Sequence, residues 1–220
     1  MRKEIKYQFP LGINKNIINY LLINSCKKIF KPRLVSSIYY DDDKLSLFYE
    51  TASGISIRNK LRCRFYNNGK DGFKIEKKSK LNEFNQKSYL NINNFKKYKL
   101  VISRKNINFK TDEISELYLP AVIQDKYYPK VLVSYNRVYL TSPCLKARIT
   151  IDTHINFSKV IVRNDVINLF SKRYLEHNIL EIKFEDDTDS ISKLISKISD
   201  KFDLHYSKCS KYSKAIEGIF

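Results

Sequence analysis

Apolar and polar residues alternate one by one along several stretches of the chain, most clearly in IRNKLRCRFY at 57–66. Ile57, Leu61, Cys63 and Phe65 fall on one parity there, and Arg58, Lys60, Arg62 and Arg64 on the other. Successive side chains of a strand point to opposite faces, so the four cations share one face and the apolar residues the other. The same two-residue period predicts strands at RKEIKYQF, GFKIEKKSK, PKVLVSYNRVYLT, LKARITIDTHINF and ILEIKFE. The glycines and asparagines of NNGKDG join the strand at 57–66 to the next at hairpin distance, and the short SPC loop joins a second antiparallel pair.

Helical spacing replaces alternation in two places. NKNIINYLLINSCKKIF places Ile17, Ile18, Leu21, Leu22 and Cys26 along one helix face. DSISKLISKISDKF starts on Asp and Ser and carries Ile191, Leu194, Ile195, Ile198 and Phe202 at helical intervals. LVSSIYYDDDKLSLFYE reads as a strand ending in an Asp-rich turn, followed by a short helical piece. ISELYLP reads as the end of a helix, NDVINLFSKRYLEHN as a short helix or loop, and SKCSKYSKAIEGIF as a last short helix. NINNFKKYKLVISRKNINFK fits no one period. The total is seven or eight mostly antiparallel strands with about three helices, an α+β class dominated by one sheet. No repeat, low-complexity linker or boundary interrupts it, so a single domain over 1–220 is expected.

Charge changes this picture more than hydrophobicity does. The hydrophobic share, 43%, is that of a globular protein, but 41 Lys+Arg against 23 Asp+Glu give a net charge of +18. Such an excess suggests an anionic partner. Cys26, Cys63, Cys144 and Cys209 are widely spaced without a C-x-x-C pair, which argues against zinc and for free thiols. MRKEIKYQF has no apolar segment behind it, and no apolar run approaches the ~20 residues that span a bilayer. A soluble, cytoplasmic protein is expected.

The cationic face recurs from strand to strand. Glu4 and Lys6 alternate in the first, Glu76, Lys78 and Lys80 in IEKKSK, and Arg148, Thr150 and Asp152 in ARITID; Arg137 lies between Tyr135 and Tyr139, and Glu181 and Lys183 alternate in LEIKF. Any one strand of this kind is ordinary for a sheet with one solvated face. The concentration of Arg and Lys is what departs from that pattern. An open sheet binding single-stranded nucleic acid would put stacking aromatics among the cations, whereas Phe65 and Phe184 fall on the opposite face. A sheet closed into a barrel would turn the cations inward, where they need a polyanion and the glutamates can hold a divalent metal through oxygen.

RKEIKYQF, SSIYYDD, LRCRFY, FKIEKKSK, VSYNRVYL, ARITIDT, LEIKF and the late SKYS occur in one order over about residues 2–215. Together they resemble the VTC (vacuolar transporter chaperone) domain, the polyphosphate polymerase branch of the triphosphate tunnel metalloenzymes. The resemblance implies an eight-stranded closed antiparallel tunnel with a charged lumen and flanking helices. It also implies transfer of the ATP γ-phosphate onto a growing polyphosphate chain, with Mn²⁺ or Mg²⁺ as cofactor. By the same resemblance Arg62, Arg64, Lys78, Arg137 and Arg148 are the catalytic cations. Lys6, Arg58, Lys60, Lys87, Lys183, Lys208 and Lys211 are further phosphate contacts, and Glu181 is the metal ligand. Tyr39 and Asp41 fall in a block with a structural role, and His154, His177 and His205 match nothing catalytic.

Other triphosphate tunnel enzymes hydrolyse triphosphates, and their first strand favours E-x-E-x-K; here Arg2 stands at the first glutamate position, which favours the polymerase branch. A metal-dependent triphosphatase and a non-catalytic polyphosphate-binding subunit are the alternatives. The resemblance implies a separate membrane protein as partner, with the chain peripheral to the membrane through it, and no nucleic acid.

Overall fold

The computed structural model describes residues 3–69, 72–82, 84–90, 97–105, 112–123, 126–144, 146–185 and 189–220. They form a mainly antiparallel twelve-stranded sheet with four α-helices, so the α+β class holds. The chain divides into two compact units, one of Met1–Arg33, Tyr135–Ile155 and Tyr174–Ser210, the other of Leu34–Ser134, Asn156–Arg173 and Lys211–Phe220. Three long strands, β2 (Lys27–Asp41), β8 (Tyr128–Thr141) and β9 (Ala147–Arg163), run from one unit into the other.

In the first unit β1 (Lys3–Pro10) pairs antiparallel with β11 (His177–Phe184), and β11 with β9. The two-residue β12 (His205–Tyr206) lies at the outer edge on β1. The apolar parity of these strands supplies Tyr7, Phe9, Ile149, Ile151, Leu180, Ile182 and Phe184 to one core. Helix α1 (Asn14–Ile23) buries Ile17 and Leu21 in it, and α3 (Asp189–Phe202) buries Ile191, Leu194 and Ile198. Asp189 in the first turn of α3 and Lys201 in its last both complement the helix dipole.

In the second unit β2, β3 (Ile57–Tyr66), β4 (Phe73–Leu81) and β5 (Phe84–Leu90) follow one another in the ladder. Ile38, Tyr40, Leu61, Cys63, Phe65 and Ile75 form its core with Leu47 of α2 (Ser46–Ala52). The Asp-rich turn caps α2 directly. Asp42 accepts the Ser46 N–H, while Asp41 accepts those of Leu47 and Phe48; these first-turn donors have no partner within the helix. On the other side β10 (Val166–Tyr174) pairs with β9 and, in parallel, with β6 (Lys97–Lys105), and β6 with β7 (Asp112–Pro120). Helix α4 (Lys211–Ile219) buries Tyr212, Ala215 and Ile216.

Five expectations change. ISELYLP and the core of NDVINLFSKRYLEHN are strands, β7 and β10, not helix ends or loops. The residues KKIF continue into β2 rather than completing the first helix, because Ser25 adopts a left-handed φ of 63° and turns the chain after α1. The strand count rises to twelve. Among the described residues β5, β7 and β12 each have a single strand partner, so the ladder is not closed into the eight-stranded ring that was expected. β12 is too short, at two residues, to pair with a further strand along any length.

Candidate functional site

The cations that alternation singled out sit on two faces, one in each unit. In the second unit cross-strand register stacks them in rows. Lys60 lies opposite Lys78, and Lys78 opposite Lys87, so three lysines from β3, β4 and β5 form one row. The next row is Arg62, Glu76 and Tyr89, and Arg64 lies opposite Lys74 beyond it. Like charges directly opposite each other destabilise a sheet. Glu76 is the carboxylate set among them, and it is 3% exposed. It receives Arg62 Nε and Nη2, each at 2.6 Å, and Lys87 Nζ at 2.5 Å. Burial works against its charge, but Arg62 and Arg64 with the hydrogen bonds from Lys87 and Arg62 pull its pKa down to about 2.

Arg64 Nε donates to Ser37 Oγ at 3.2 Å, and Arg62 Nη1 approaches the Tyr39 hydroxyl at 3.4 Å. Tyr39 is buried, which raises a phenol pKa, yet Arg62, Arg64 and Lys211 bring it down to about 8. Its ring stacks on Tyr212 of α4 at 5.0 Å. Arg58 at the end of the row series donates to the Ile55 carbonyl at 2.9 Å, so it is partly occupied in shaping the loop before β3.

The first unit arranges charge differently. Lys6, Glu181 and Thr150 form one cross-strand row on β1, β11 and β9, and Glu4, Lys183 and Arg148 the next. Opposite charges face each other between β1 and β11, while Lys183 and Arg148 are like charges across β11 and β9. Lys183 Nζ bridges Glu181 Oε1 at 2.5 Å and Glu4 Oε2 at 3.1 Å, and Glu4 also pairs with Lys6. Arg137 of β8 holds Asp152, and its Nη2 lies 3.9 Å from Glu181 Oε2. Burial opposes its charge, but Asp152, Tyr135 and Glu181 raise its pKa further above an already high value. Lys208 is exposed on the segment between β12 and α4.

Glu181 is 6% exposed, and Thr150 directly opposite it has a buried hydroxyl with no hydrogen-bond partner among the described residues. A hard divalent cation takes such oxygens. Among the described residues no three His, Cys, Asp or Glu side chains converge as a complete protein cage. That donor set fits Mg²⁺ or a similar ion held by one or two carboxylates, its remaining positions filled by water and phosphate oxygens.

Sequence reasoning named Asp152 and Tyr139 on these faces without giving them a role, and passed over Arg33. Asp152, fully buried, anchors Arg137. Arg33 stands over the Phe30 ring at 5.2 Å and the Tyr139 ring at 5.1 Å. Tyr139 itself also lies against Arg137 and Arg148. The parity of Asp152 with Arg148 and Thr150 was a usable signal, whereas the helical reading of 14–30 concealed Phe30.

An antiparallel sheet with faces rich in Arg and Lys and a buried carboxylate on each is suited to phosphate compounds. The chain belongs to the VTC domain family, whose family model matches residues 2–220. It is thereby one of the triphosphate tunnel class, enzymes that act on triphosphate compounds with a divalent metal. No curated protein matches it. Several solved structures are similar along nearly the whole chain. A protein of Vibrio parahaemolyticus described as a candidate adenylate cyclase is 12% identical at a TM-score of 0.45, over 98% of this chain and 97% of its own. A candidate adenylyl cyclase of Hippeastrum, described as having a dominant triphosphatase activity, is 13% identical at 0.46, over 100% and 97%. A protein of Pyrococcus horikoshii is 14% identical at 0.44, over 99% and 100%. Among the described residues no helix is long and apolar enough to cross a membrane.

Proposed function

We propose that the protein is a polyphosphate polymerase that transfers the γ-phosphoryl group of ATP to the end of a polyphosphate chain. A terminal phosphate oxygen of the chain attacks the γ-phosphorus, the bond to the β–γ bridging oxygen breaks, and ADP leaves. Phosphoryl transfer asks a protein mainly for positioning and charge stabilisation. The observation that carries the reading is the lysine row Lys60–Lys78–Lys87 beside Arg62 and Arg64, with Glu76 as the carboxylate among them. A face of that kind suits a ligand with many phosphates, which relieves the repulsion among its cations.

In this reading Arg62, Arg64 and Lys78 on the face of the second unit, and Arg137 and Arg148 on that of the first, are the catalytic cations, each holding phosphate oxygens, Arg by its planar fork. Lys6, Arg58, Lys60, Lys87, Lys183, Lys208 and Lys211 hold other phosphates of nucleotide or chain. Glu181, with the Thr150 hydroxyl opposite it, holds Mn²⁺ or Mg²⁺, which when bound neutralises phosphate charge. The buried pair with Asp152 fixes the plane of the Arg137 guanidinium. The chain works in the cytoplasm beside a separate membrane protein that receives the product, and nucleic acid is not its ligand.

The test is incubation with ATP and Mn²⁺, with products separated on a polyphosphate-resolving gel beside a free-phosphate assay. A ladder of chains that a chelator abolishes is expected. Free phosphate without a ladder would instead make the protein a triphosphatase, with water as the acceptor. Silence in both assays would leave it a phosphate-binding subunit.

A further inference from the structure

The first part of β2 is exposed along its whole length. Lys27, Lys28, Ile29, Phe30, Lys31 and Pro32 are all exposed in succession. Phe30 keeps 49% of its surface in water. An isolated exposed aromatic is ordinary, but this one is held in place. Its ring meets Tyr139 edge-on at 5.6 Å and 87°, and the Arg33 guanidinium stands over it at 5.2 Å. Arg33 also stands 5.1 Å from the Tyr139 ring, so the three groups brace one another.

Tyr139 links this platform to the phosphate-holding cations. It is 5% exposed, and the guanidinium of Arg148 lies 5.8 Å and that of Arg137 6.0 Å from its centroid. A nucleotide whose phosphates rest on Arg137 and Arg148 therefore has an exposed aromatic ring one side chain away. Nucleobases stack on aromatic side chains and on guanidinium planes, and such stacking tolerates any base because every base has a π-face.

We propose that Phe30, braced by Arg33 and Tyr139, is a stacking platform for the base of a nucleoside triphosphate. The inference rests on the phosphate roles given above to Arg137 and Arg148, and it adds a subsite that an inorganic phosphate chain does not use. Phe30 offers a ring and no edge-reading group, so purines bind in preference to pyrimidines through area alone, with little distinction between adenine and guanine. Lys27, Lys28 and Lys31 beside it add general attraction for the anionic nucleotide.

The test is titration calorimetry of the full chain with ATP and, separately, with inorganic tripolyphosphate, both with Mg²⁺. Phe30→Ala should weaken ATP binding roughly 5- to 100-fold, the loss expected for one stacked base, and leave tripolyphosphate affinity unchanged. Phe30→Trp should keep or tighten ATP binding, because it restores the ring. Equal loss of both ligands, or loss of neither, would overturn the platform while leaving the phosphate site in place. Wild-type protein that binds neither ligand would overturn the phosphate reading and the platform with it.

Discussion

Arg137 grips Asp152 through two parallel hydrogen bonds, Nε to Oδ1 at 2.6 Å and Nη2 to Oδ2 at 2.7 Å. Asp152 has no solvent exposure, and its partner very little. Such a fork fixes the guanidinium plane while leaving the pair costly to break, since the surviving charge is stranded away from water. Asp152→Ala is expected to lower unfolding stability by about 3–5 kcal/mol. It should also weaken tripolyphosphate binding, because Arg137 loses its aim. Urea denaturation and calorimetry read the two effects, and an unchanged urea midpoint would remove Asp152 from the role of anchor.

Glu76 makes a second prediction, in pH. Its folded-state pKa is about 2 against an ordinary value of 4.5, so the folded state holds the carboxylate more strongly than the unfolded chain does. A depressed carboxylate stabilises the fold above the unfolded pKa and loses that contribution as pH falls through the folded one. At ~1.4 kcal/mol per pKa unit the contribution is on the order of 3 kcal/mol. Stability should therefore fall between about pH 5 and pH 2 in the wild type. Glu76→Gln should be less stable at neutral pH and show a shallower fall across that window, as measured by urea midpoints at successive pH values.

Much of this was legible from parity. On β3, Leu61, Cys63 and Phe65 are fully buried while Arg62 and Arg64 are not, because the two faces of that strand meet different surroundings. Helix α3 was equally legible, since its buried Ile191, Leu194 and Ile198 repeat at helical intervals against a polar remainder. Parity failed where the backbone interrupts it. Ser171 lies inside β10 with a φ of 51°, and His154 inside β9 with a φ of 52°. A left-handed residue within a strand shifts the side chains that follow, and NLFSKRY then shows no clean period. At the first helix the apolar spacing runs on through Cys26, Ile29 and Phe30, and only the left-handed Ser25 ends it. The cations of the site were readable because they alternate, and Asp152 shares the parity of Arg148 and Thr150; its pairing with Arg137 and the place of Arg33 over Tyr139 were not, because those partners are distant in sequence.

Tyr39 offers a spectroscopic handle on the cationic face of the second unit. Burial favours its neutral form, but Arg62, Arg64, the hydrogen bond from Arg62, and Lys211 lower its pKa to about 8. The wild-type protein should develop tyrosinate absorbance near pH 8, two units below an ordinary phenol, and Tyr39→Phe should abolish that step. Because the folded pKa is depressed, the phenolate adds stability above the ordinary value of 10 that is lost as pH falls through 8. Tripolyphosphate bound at Arg62 and Arg64 adds negative charge nearby, so it should move the step to higher pH. A step that ignores tripolyphosphate would mean that the anion does not bind at these two arginines.

The last prediction concerns how α4 is fastened. The Tyr212 hydroxyl donates to Asp41 Oδ2, the same oxygen that accepts the Phe48 N–H, while Asp41 Oδ1 accepts the N–H groups of Asp42 and Leu47. One buried carboxylate thus caps α2 and ties α4 to it. Burial and the bond to Asp41 both push the Tyr212 phenol far above its usual pKa, so it stays a donor at any ordinary pH. Tyr212→Phe keeps the ring that stacks on Tyr39 but removes the donor, at an expected cost of about 1–3 kcal/mol for a bond to a buried charge. Hydrogen exchange should then quicken in α4, with a smaller change at the capped amides of Leu47 and Phe48, which keep their acceptor. Asp41→Asn should quicken exchange in both helices, because it weakens every bond that the carboxylate accepts. Equal exchange in α4 for Tyr212→Phe and wild type would show that ring packing alone, without this hydrogen bond, holds the helix.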